Sequence, residues 1–288
     1  MLWGLALLSG RSVAAALSGI ECVAVMPLGS GALAGSPYPL DRQMVAYELG
    51  FREISRNSLD ATADRDFVAE FAAACAITQM HISRLAEEVV LWASAEYGFL
   101  KLPDGFATGS SIMPQKKNAD VAELARGRTG RVYGELMAIL TTLKGQPLAY
   151  NRDLQEDKPV IMAAANVVLP TLHIFAAMMP QLQFQLPRMR QAAGESFSLA
   201  TDVADYLVKK GLPFRDAHGV VGSLVRECEA RGCELNALPL EIYVGKSPLF
   251  EGDILELDVE SALAARDIPG GTAPRQVRIA AEQLRALL

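Results

Sequence analysis

Apolar residues recur every three or four positions along two long segments of this sequence. The first stripe predicts a helix over residues 66–97, and its members are Phe67, Phe71, Ala74, Thr78, His81, Leu85, Val89 and Trp92. The second predicts a helix over residues 119–144, and its members include Val121, Leu124, Ala125, Val132, Leu136, Ile139, Leu140 and Leu143. With a rise of 1.5 Å per residue the first helix is about 45 Å long, a length that is typical of a helical bundle.

A third segment, between Lys158 and Arg188, contains no charged side chain. Polar and proline residues, among them Asn166, Pro170 and Pro180, divide its hydrophobic part, which favours a buried helix over a membrane span. A helix that is apolar on every side needs neighbours on every side. The segment therefore predicts a bundle that is shared between subunits.

Charged residues return at Arg188 and mark a smaller C-terminal domain of shorter helices. Helices are predicted over residues 202–210, 216–231 and 275–288, and Gly232 is expected to stop the second. The predicted fold class is all-α, with an atypical N-terminal segment (1–25), a central long-helix bundle (26–187) and a helical C-terminal domain (188–288).

The composition excludes some partners. The 288 residues carry a formal net charge of -6, which disfavours nucleic acid as a partner. The four cysteines show neither CxxC pairs nor metal-ligand spacing with histidine, so we expect reduced thiols in a cytoplasmic protein and no metal site.

Residues 109–118, with the sequence GSSIMPQKKN, form the candidate catalytic loop. Asn118 is predicted as the N-cap of the helix that follows, which would direct free backbone amides toward the loop beside Lys116. A bound carboxylate would make the neighbouring carbon more acidic, and a serine stabilised by amides and a cation could act as the base of a β-elimination. The alternative for such a string is an ordinary solvated loop.

The loop resembles the signature of the fumarase and aspartase superfamily, and MPQKKN within it resembles the argininosuccinate lyase family. Further segments are similar to that family, from about residue 27 to the C-terminus: MPLGSGALAG (26–35), NSLDA (57–61), DRDF (64–67), MHISRLAEE (80–88), YNRDLQEDK (150–158) and GGTAP (270–274). A match of this length is far more specific than a short motif.

The resemblance implies roles for particular residues. Ser110 would be the general base, Lys116 and Asn118 would hold the succinyl carboxylate, and Glu123 would support the family's acid histidine. The predicted substrate-binding residues are Arg42, Tyr150, Gln155 and Lys158. The implied reaction releases fumarate and arginine from argininosuccinate without metal or organic cofactor, in a homotetramer whose active sites are shared between chains.

The sequence also departs from the family. The family's acid histidine follows a threonine, whereas His81, His173 and His218 follow Met80, Leu172 and Ala217. We expect all three to have buried structural or interface roles. Without that motif, two alternatives to argininosuccinate lyase remain open, a non-catalytic co-assembling oligomer and a lyase for another succinyl substrate.

Residues 1–25 do not resemble the charged helix expected before Pro27. Three interpretations stay open for them: a truncated or frame-shifted gene, a secretory signal, or an ordinary buried helix. The signal is the weakest, because the start carries no basic residues and Arg11 interrupts the apolar stretch.

Overall fold

The computed structural model describes residues 23–286 and is mostly helical. The expectations for residues 1–22 and for Cys22 therefore lie outside the described residues. The described chain divides into two compact units, one that ends at Gln183 and one that begins at Phe184. The all-α fold class is confirmed.

The first unit is built around three long helices. Its helices are α1 (Arg42–Glu48), α2 (Ser58–Ala63), α3 (Asp66–Ala93), α4 (Asp120–Leu143) and α5 (Asp157–Met178), with 3-10 turns at Asp104–Phe106, Arg152–Glu156 and Met179–Gln181. Its short strands are β1 (Val25–Met26), β2 (Glu53–Ile54), β3 (Leu100–Lys101), β4 (Thr108–Gly109) and β5 (Lys117–Asn118), and a sixth, β6 (Gln183–Phe184), lies at the boundary between the units. Strand β1 pairs in parallel with β2, and β4 pairs antiparallel with β5.

Small and β-branched side chains form the contacts between the three long helices. One buried cluster contains Cys75, Ala76, Val132, Ala164 and Val168, and a second contains Val68, Ala72, Ile139 and Val160. The cluster with the earlier residues of α3 and α5 contains the later residue of α4, and the reverse holds for the other cluster. Helix α4 therefore runs antiparallel to α3 and α5. Small residues at these positions let the helix axes approach closely, as ridge-and-groove packing requires.

A buried polar contact fixes the register of α3 against α4. Gln79 is fully buried, and its Nε2 donates to the carbonyl oxygen of Ala125 at 2.9 Å. A buried amide without this partner would carry a desolvation penalty of about 1–3 kcal/mol. His81, two residues further on, is also buried, which confirms the structural position predicted for it.

The bundle leaves apolar side chains exposed on the single chain. Leu124, Met137, Met162 and Leu169 are each more than half exposed. The stretch Arg152–Gln181 is long and apolar enough to cross a membrane by length and composition alone, which is weak evidence because core helices of soluble proteins also meet this criterion. His173 and His218 are exposed, so a buried position is wrong for both, and their interface role stays a prediction.

The second unit has its own core. Its helices are α6 (Leu186–Gly194), α7 (Ala200–Lys209), α8 (Phe214–Arg231), α9 (Leu240–Lys246), α10 (Val259–Ala264) and α11 (Pro274–Arg285). Buried residues of α7 and α8, including Leu207 and Leu224, pack against Tyr243 and Phe250. Gly232 ends α8 in the left-handed conformation (φ 66°), which confirms the stop predicted from the sequence.

Candidate active site

The candidate catalytic loop is a hairpin that ends where helix α4 begins. Thr108 pairs with Asn118 and Gly109 with Lys117 in the two-residue ladder of β4 and β5. The N–H of Ser110 then donates to the carbonyl oxygen of Lys116 at 3.2 Å, which extends the pairing by one bond. The predicted catalytic residues Ser110, Lys116 and Asn118 are thereby held close together on one small element.

Two backbone amides of the same loop donate hydrogen bonds to the Ser110 hydroxyl. Its Oγ accepts hydrogen bonds from the N–H groups of Ile112 at 3.2 Å and of Met113 at 3.0 Å. Donors directed at an oxygen favour its charged form. The tip of the loop is open to solvent, with Ile112 88% exposed, so a small ligand can approach the hydroxyl.

The structure corrects the sequence prediction for the start of α4. The helix begins at Asp120, its N-cap is Ala119, and no side chain caps it. Asn118 is instead the last residue of β5, because its backbone pairs with Thr108 across the hairpin. Glu123 lies exposed in the first turn of the helix, where a carboxylate interacts favourably with the helix dipole.

Two side-chain contacts fasten the hairpin to the rest of the first unit. The hydroxyl of Thr108 donates to a carboxylate oxygen of Asp120, and the ammonium of Lys117 forms an ion pair with Asp104. Lys117 thus forms an ion pair at the surface, and Lys116 is the lysine to which the resemblance assigns the carboxylate.

One predicted substrate-binding residue, Lys158, lies at an open cleft of about 700 Å³. Lys158 lines the cleft, and its Nζ donates to Asp157 Oδ1 at 2.8 Å. Arg65 also lines the cleft, and its Nε donates to Asp157 Oδ2 at 2.7 Å. Burial raises the pKa of Asp157, but the hydrogen bonds from Lys158 and Arg65 outweigh this effect, and the net result is a pKa below the usual range.

The cleft carries both signs of charge. Beside Lys158 and Arg65 its wall contains the carboxylates of Asp60, Asp64, Asp66 and Glu70. The neighbouring charge of Asp64, and then burial, raise the pKa of Asp66. The ion pair between Arg65 and Asp157 was not predicted: the DRDF segment supported the resemblance, but no role was assigned to its arginine.

Arg42 contributes to this region by holding two backbone segments together. Its Nε donates to the carbonyl oxygen of Leu28 at 2.7 Å, and its Nη2 donates to Ser55 Oγ at 2.8 Å. Ser55 lines the cleft, so Arg42 is adjacent to it. Gly29 has a φ of 90°, and a Cβ there would collide with the Arg42 side chain at 2.7 Å, which explains why glycine suits this position.

Tyr150 and Gln155 contact each other on the segment before α5. The Nε2 of Gln155 donates to the hydroxyl oxygen of Tyr150 at 2.5 Å, and both residues are exposed. The described cleft lining includes neither of them and no residue of the 108–118 hairpin. Within the described part of the chain the predicted site residues therefore form separate groups: the hairpin, the Tyr150–Gln155 pair and the cleft.

Comparison with known proteins reveals the relationship. The family model described as lyase matches residues 14–134, and the one described as argininosuccinate lyase C-terminal matches residues 197–264. The argininosuccinate lyase of Moorella thermoacetica is 55% identical over 270 residues, which are 93% of this chain and 58% of that protein. The argininosuccinate lyase of Dechloromonas aromatica is 54% identical over 267 residues, or 92% of this chain and 58% of that one. The chain belongs to the argininosuccinate lyase family.

Solved structures agree with this assignment. EDDS lyase in complex with formate has a TM-score of 0.81 and 30% identity, over 96% of this chain and 57% of that one. A variant of the same enzyme with bound fumarate has a TM-score of 0.80 and 29% identity, at the same coverage. The class II fumarase of Schistosoma mansoni shares the fold, with a TM-score of 0.70 and 15% identity over 85% of this chain. The chain thus spans less than three fifths of the length of these curated and solved relatives.

Proposed function

We propose that this chain carries the base and the carboxylate-binding part of an argininosuccinate lyase active site. The reaction is a β-elimination that gives fumarate and arginine. The observation that carries the proposal is the Ser110 hydroxyl, which accepts two backbone N–H hydrogen bonds on a solvent-open hairpin that also holds Lys116 and Asn118.

The first step is proton removal from the carbon next to the succinyl carboxylate. Lys116 and Asn118 bind that carboxylate, which compensates the negative charge that develops on its oxygens. The amides of Ile112 and Met113 stabilise the Ser110 alkoxide, which takes the proton. The bond from carbon to nitrogen then breaks, and the electron pair leaves with the guanidinium nitrogen of arginine.

The leaving nitrogen needs a proton donor. In the family the donor is a histidine that follows a threonine, and none of the three histidines here has that context. The proposal therefore assigns the base to this chain and has the donor supplied in trans by another chain. The exposed apolar faces of α4 and α5 support such an assembly, because on a single chain they leave apolar side chains in contact with water: Leu124, Met137, Met162 and Leu169.

The cleft supplies the second substrate-binding group. Lys158 is 65% exposed and keeps donor capacity beyond its bond to Asp157, so it can bind a carboxylate of the substrate. The carboxylates on the cleft wall suit the cationic part of argininosuccinate. Tyr150 and Gln155 form a separate substrate-binding pair. The enzyme is a homotetramer in the cytoplasm whose active sites combine residues of several chains.

Complementation in trans tests the proposal. The chain is mixed with a full-length argininosuccinate lyase in which the serine matching Ser110 is replaced by alanine, and fumarate release is followed by absorbance. We expect activity to return with the wild-type chain and with the control Ser111→Ala. Ser110→Ala should remain at least about 100-fold lower, because general bases typically contribute that much.

The test also distinguishes the alternatives. Co-assembly by size-exclusion chromatography without restored activity would refute the proposal and would favour a non-catalytic co-assembling oligomer, which the missing Thr-His motif makes the second candidate. Fumarate release from adenylosuccinate but not from argininosuccinate would overturn the substrate assignment.

A further inference from the structure

Two cysteines lie at either end of the turn that closes helix α8. The N–H of Cys233 donates to the carbonyl oxygen of Cys228 at 3.1 Å, and the N–H of Gly232 donates to that of Glu229 at 3.3 Å. With Gly232 in the left-handed conformation, these two bonds define a Schellman motif. In this motif the side chains of the two residues joined by the longer bond commonly contact each other. Here those residues are the two cysteines.

The two thiols share one environment but differ in exposure. Cys228 is fully buried in the core of the second unit, and Cys233 packs against the same core while remaining partly exposed. Both are free thiols. Burial, followed by the charge and the hydrogen bond of the Cys233 thiol, raises the pKa of Cys228 to about 11. Solvent therefore reaches the pair at Cys233, and Cys228 lies behind it.

We propose that Cys228 and Cys233 form a modification site, a dithiol that low-molecular-weight disulfides such as oxidised glutathione convert into an intramolecular disulfide. The proposal is independent of the lyase chemistry. A 3.1 Å hydrogen bond already joins the backbones of the two residues, so closure needs rotation of the side chains rather than movement of the chain. A disulfide needs two residues whose Cα atoms are close together, and the turn of the Schellman motif brings the backbones of Cys228 and Cys233 together.

The reaction proceeds by two exchanges. The Cys233 thiolate attacks one sulfur of the oxidised glutathione, which forms a mixed disulfide and releases one glutathione thiolate. Cys228 then loses its proton to solvent and attacks the Cys233 sulfur, which forms the Cys228–Cys233 bond and releases the second thiolate. The protein dithiol loses two electrons and two protons, and one oxidised glutathione becomes two reduced molecules.

The acidic surroundings disfavour the thiolate form of Cys228. Glu227 and Glu234 also raise the pKa of Cys228, and the carboxyl end of a helix disfavours a thiolate. The rate should therefore rise with pH, because the thiolate is the nucleophile. In a reducing compartment the pair stays open, and it closes when the ratio of oxidised to reduced glutathione increases.

Peptide mapping of the native chain tests the proposal. A Cys22→Ala/Cys75→Ala background leaves Cys228 and Cys233 as the remaining thiols. The folded protein is incubated with oxidised glutathione, alkylated and cut with trypsin, which cleaves after Arg231 between the two cysteines. We expect the peptides on either side of this cut to remain joined until a reductant is added, and the intact protein to lose two hydrogens without gaining glutathione.

Two single variants separate the steps. Cys228→Ala should stop at a mixed disulfide on Cys233, whereas Cys233→Ser should leave the buried Cys228 unreacted in the folded state, as checked by circular dichroism. A background chain that accumulates glutathione on Cys233 without closing would overturn the proposal. So would folded protein whose thiols stay reduced under conditions that oxidise the same chain in urea.

Discussion

The ion pair between Arg65 and Asp157 joins the start of α3 to the start of α5, and we predict that it stabilises the first unit. The two side chains are only 17% and 7% exposed, and their atoms are 2.7 Å apart. Removing one partner of a buried ion pair typically costs about 3–5 kcal/mol, because the other charge is left buried.

Remaining partners reduce the cost at this site. After Arg65→Met, Asp157 keeps its hydrogen bond to Lys158 at 2.8 Å. After Asp157→Asn, Arg65 keeps the carbonyl oxygens of Thr62 and Asp64 as acceptors. We therefore expect each single variant to lose about 2–3 kcal/mol of unfolding free energy, and the double variant to lose little more than either, with a coupling energy of about 2 kcal/mol.

Urea unfolding followed by tryptophan fluorescence measures these changes at a fixed protein concentration. Trp92 lies in α3, so its fluorescence reports on the first unit. Arg56→Met is the matched control: its partner is Glu53 at 3.2 Å, but Arg56 is 90% exposed. Such a pair should contribute no more than about 0.5–1 kcal/mol. A coupling energy below about 0.5 kcal/mol for Arg65 and Asp157 would refute the argument.

The pH dependence gives a second readout of the same pair. The folded pKa of Asp157 is lowered, so the stabilisation is fully present above the ordinary aspartate pKa of about 3.9. It is lost as the pH falls from there through the folded pKa, because the unfolded chain then binds the proton more readily. The wild type should therefore lose more stability than Arg65→Met over this acidic range, and equal losses would contradict the assignment.

Three further predictions concern other parts of the chain. In the complementation assay Thr108→Val should lower kcat by up to about tenfold with little change in KM, because the hairpin loses its hydrogen bond to Asp120. Thr108→Ser should restore kcat, and an unchanged kcat in Thr108→Val would contradict a positioning role. Burial raises the pKa of Tyr243 to about 12, so the folded chain keeps this proton while the unfolded chain loses it, and stability should fall by about 2–3 kcal/mol between pH 10 and 12. Tyr243→Phe should reduce this alkaline loss in thermal melts, and an identical loss would refute the cause. Gly271→Ala would place a Cβ 2.1 Å from the carbonyl oxygen of Arg266, so we expect the unfolding free energy to fall by about 1–3 kcal/mol. Chemical unfolding followed by circular dichroism measures this change, and an unchanged unfolding free energy would contradict the close approach.

The long helices could be predicted because their signal is local. The stripe from Phe67 to Trp92 predicts a helix over residues 66–97, and α3 occupies Asp66–Ala93. Gly232 predicted the end of α8 for the same reason, since a left-handed residue after a helix favours glycine. In both cases the interacting residues lie within about one helical turn of each other along the chain.

The candidate site could be located from the sequence but not assembled from it. The resemblance placed Ser110, Lys116 and Asn118 on one loop, and their chemical roles stay predictions. Asn118 was expected to cap α4, yet its backbone pairs with Thr108, ten residues away. The preference of asparagine for the N-cap position is local, whereas the strand pairing that Asn118 makes exists only in the folded hairpin.

By itself the sequence of this protein determined the helical periodicity, the family and the identity of the loop that carries Ser110. The tertiary structure decided which charged groups meet, as when Arg65 contacts Asp157 across 92 positions of the chain. It also decided that Lys117 forms an ion pair with Asp104, thirteen positions earlier in the chain. The physical reason is that helical patterns arise from neighbours along the chain, whereas ion pairs between distant residues exist only after packing has brought their helices together and reduced their contact with water.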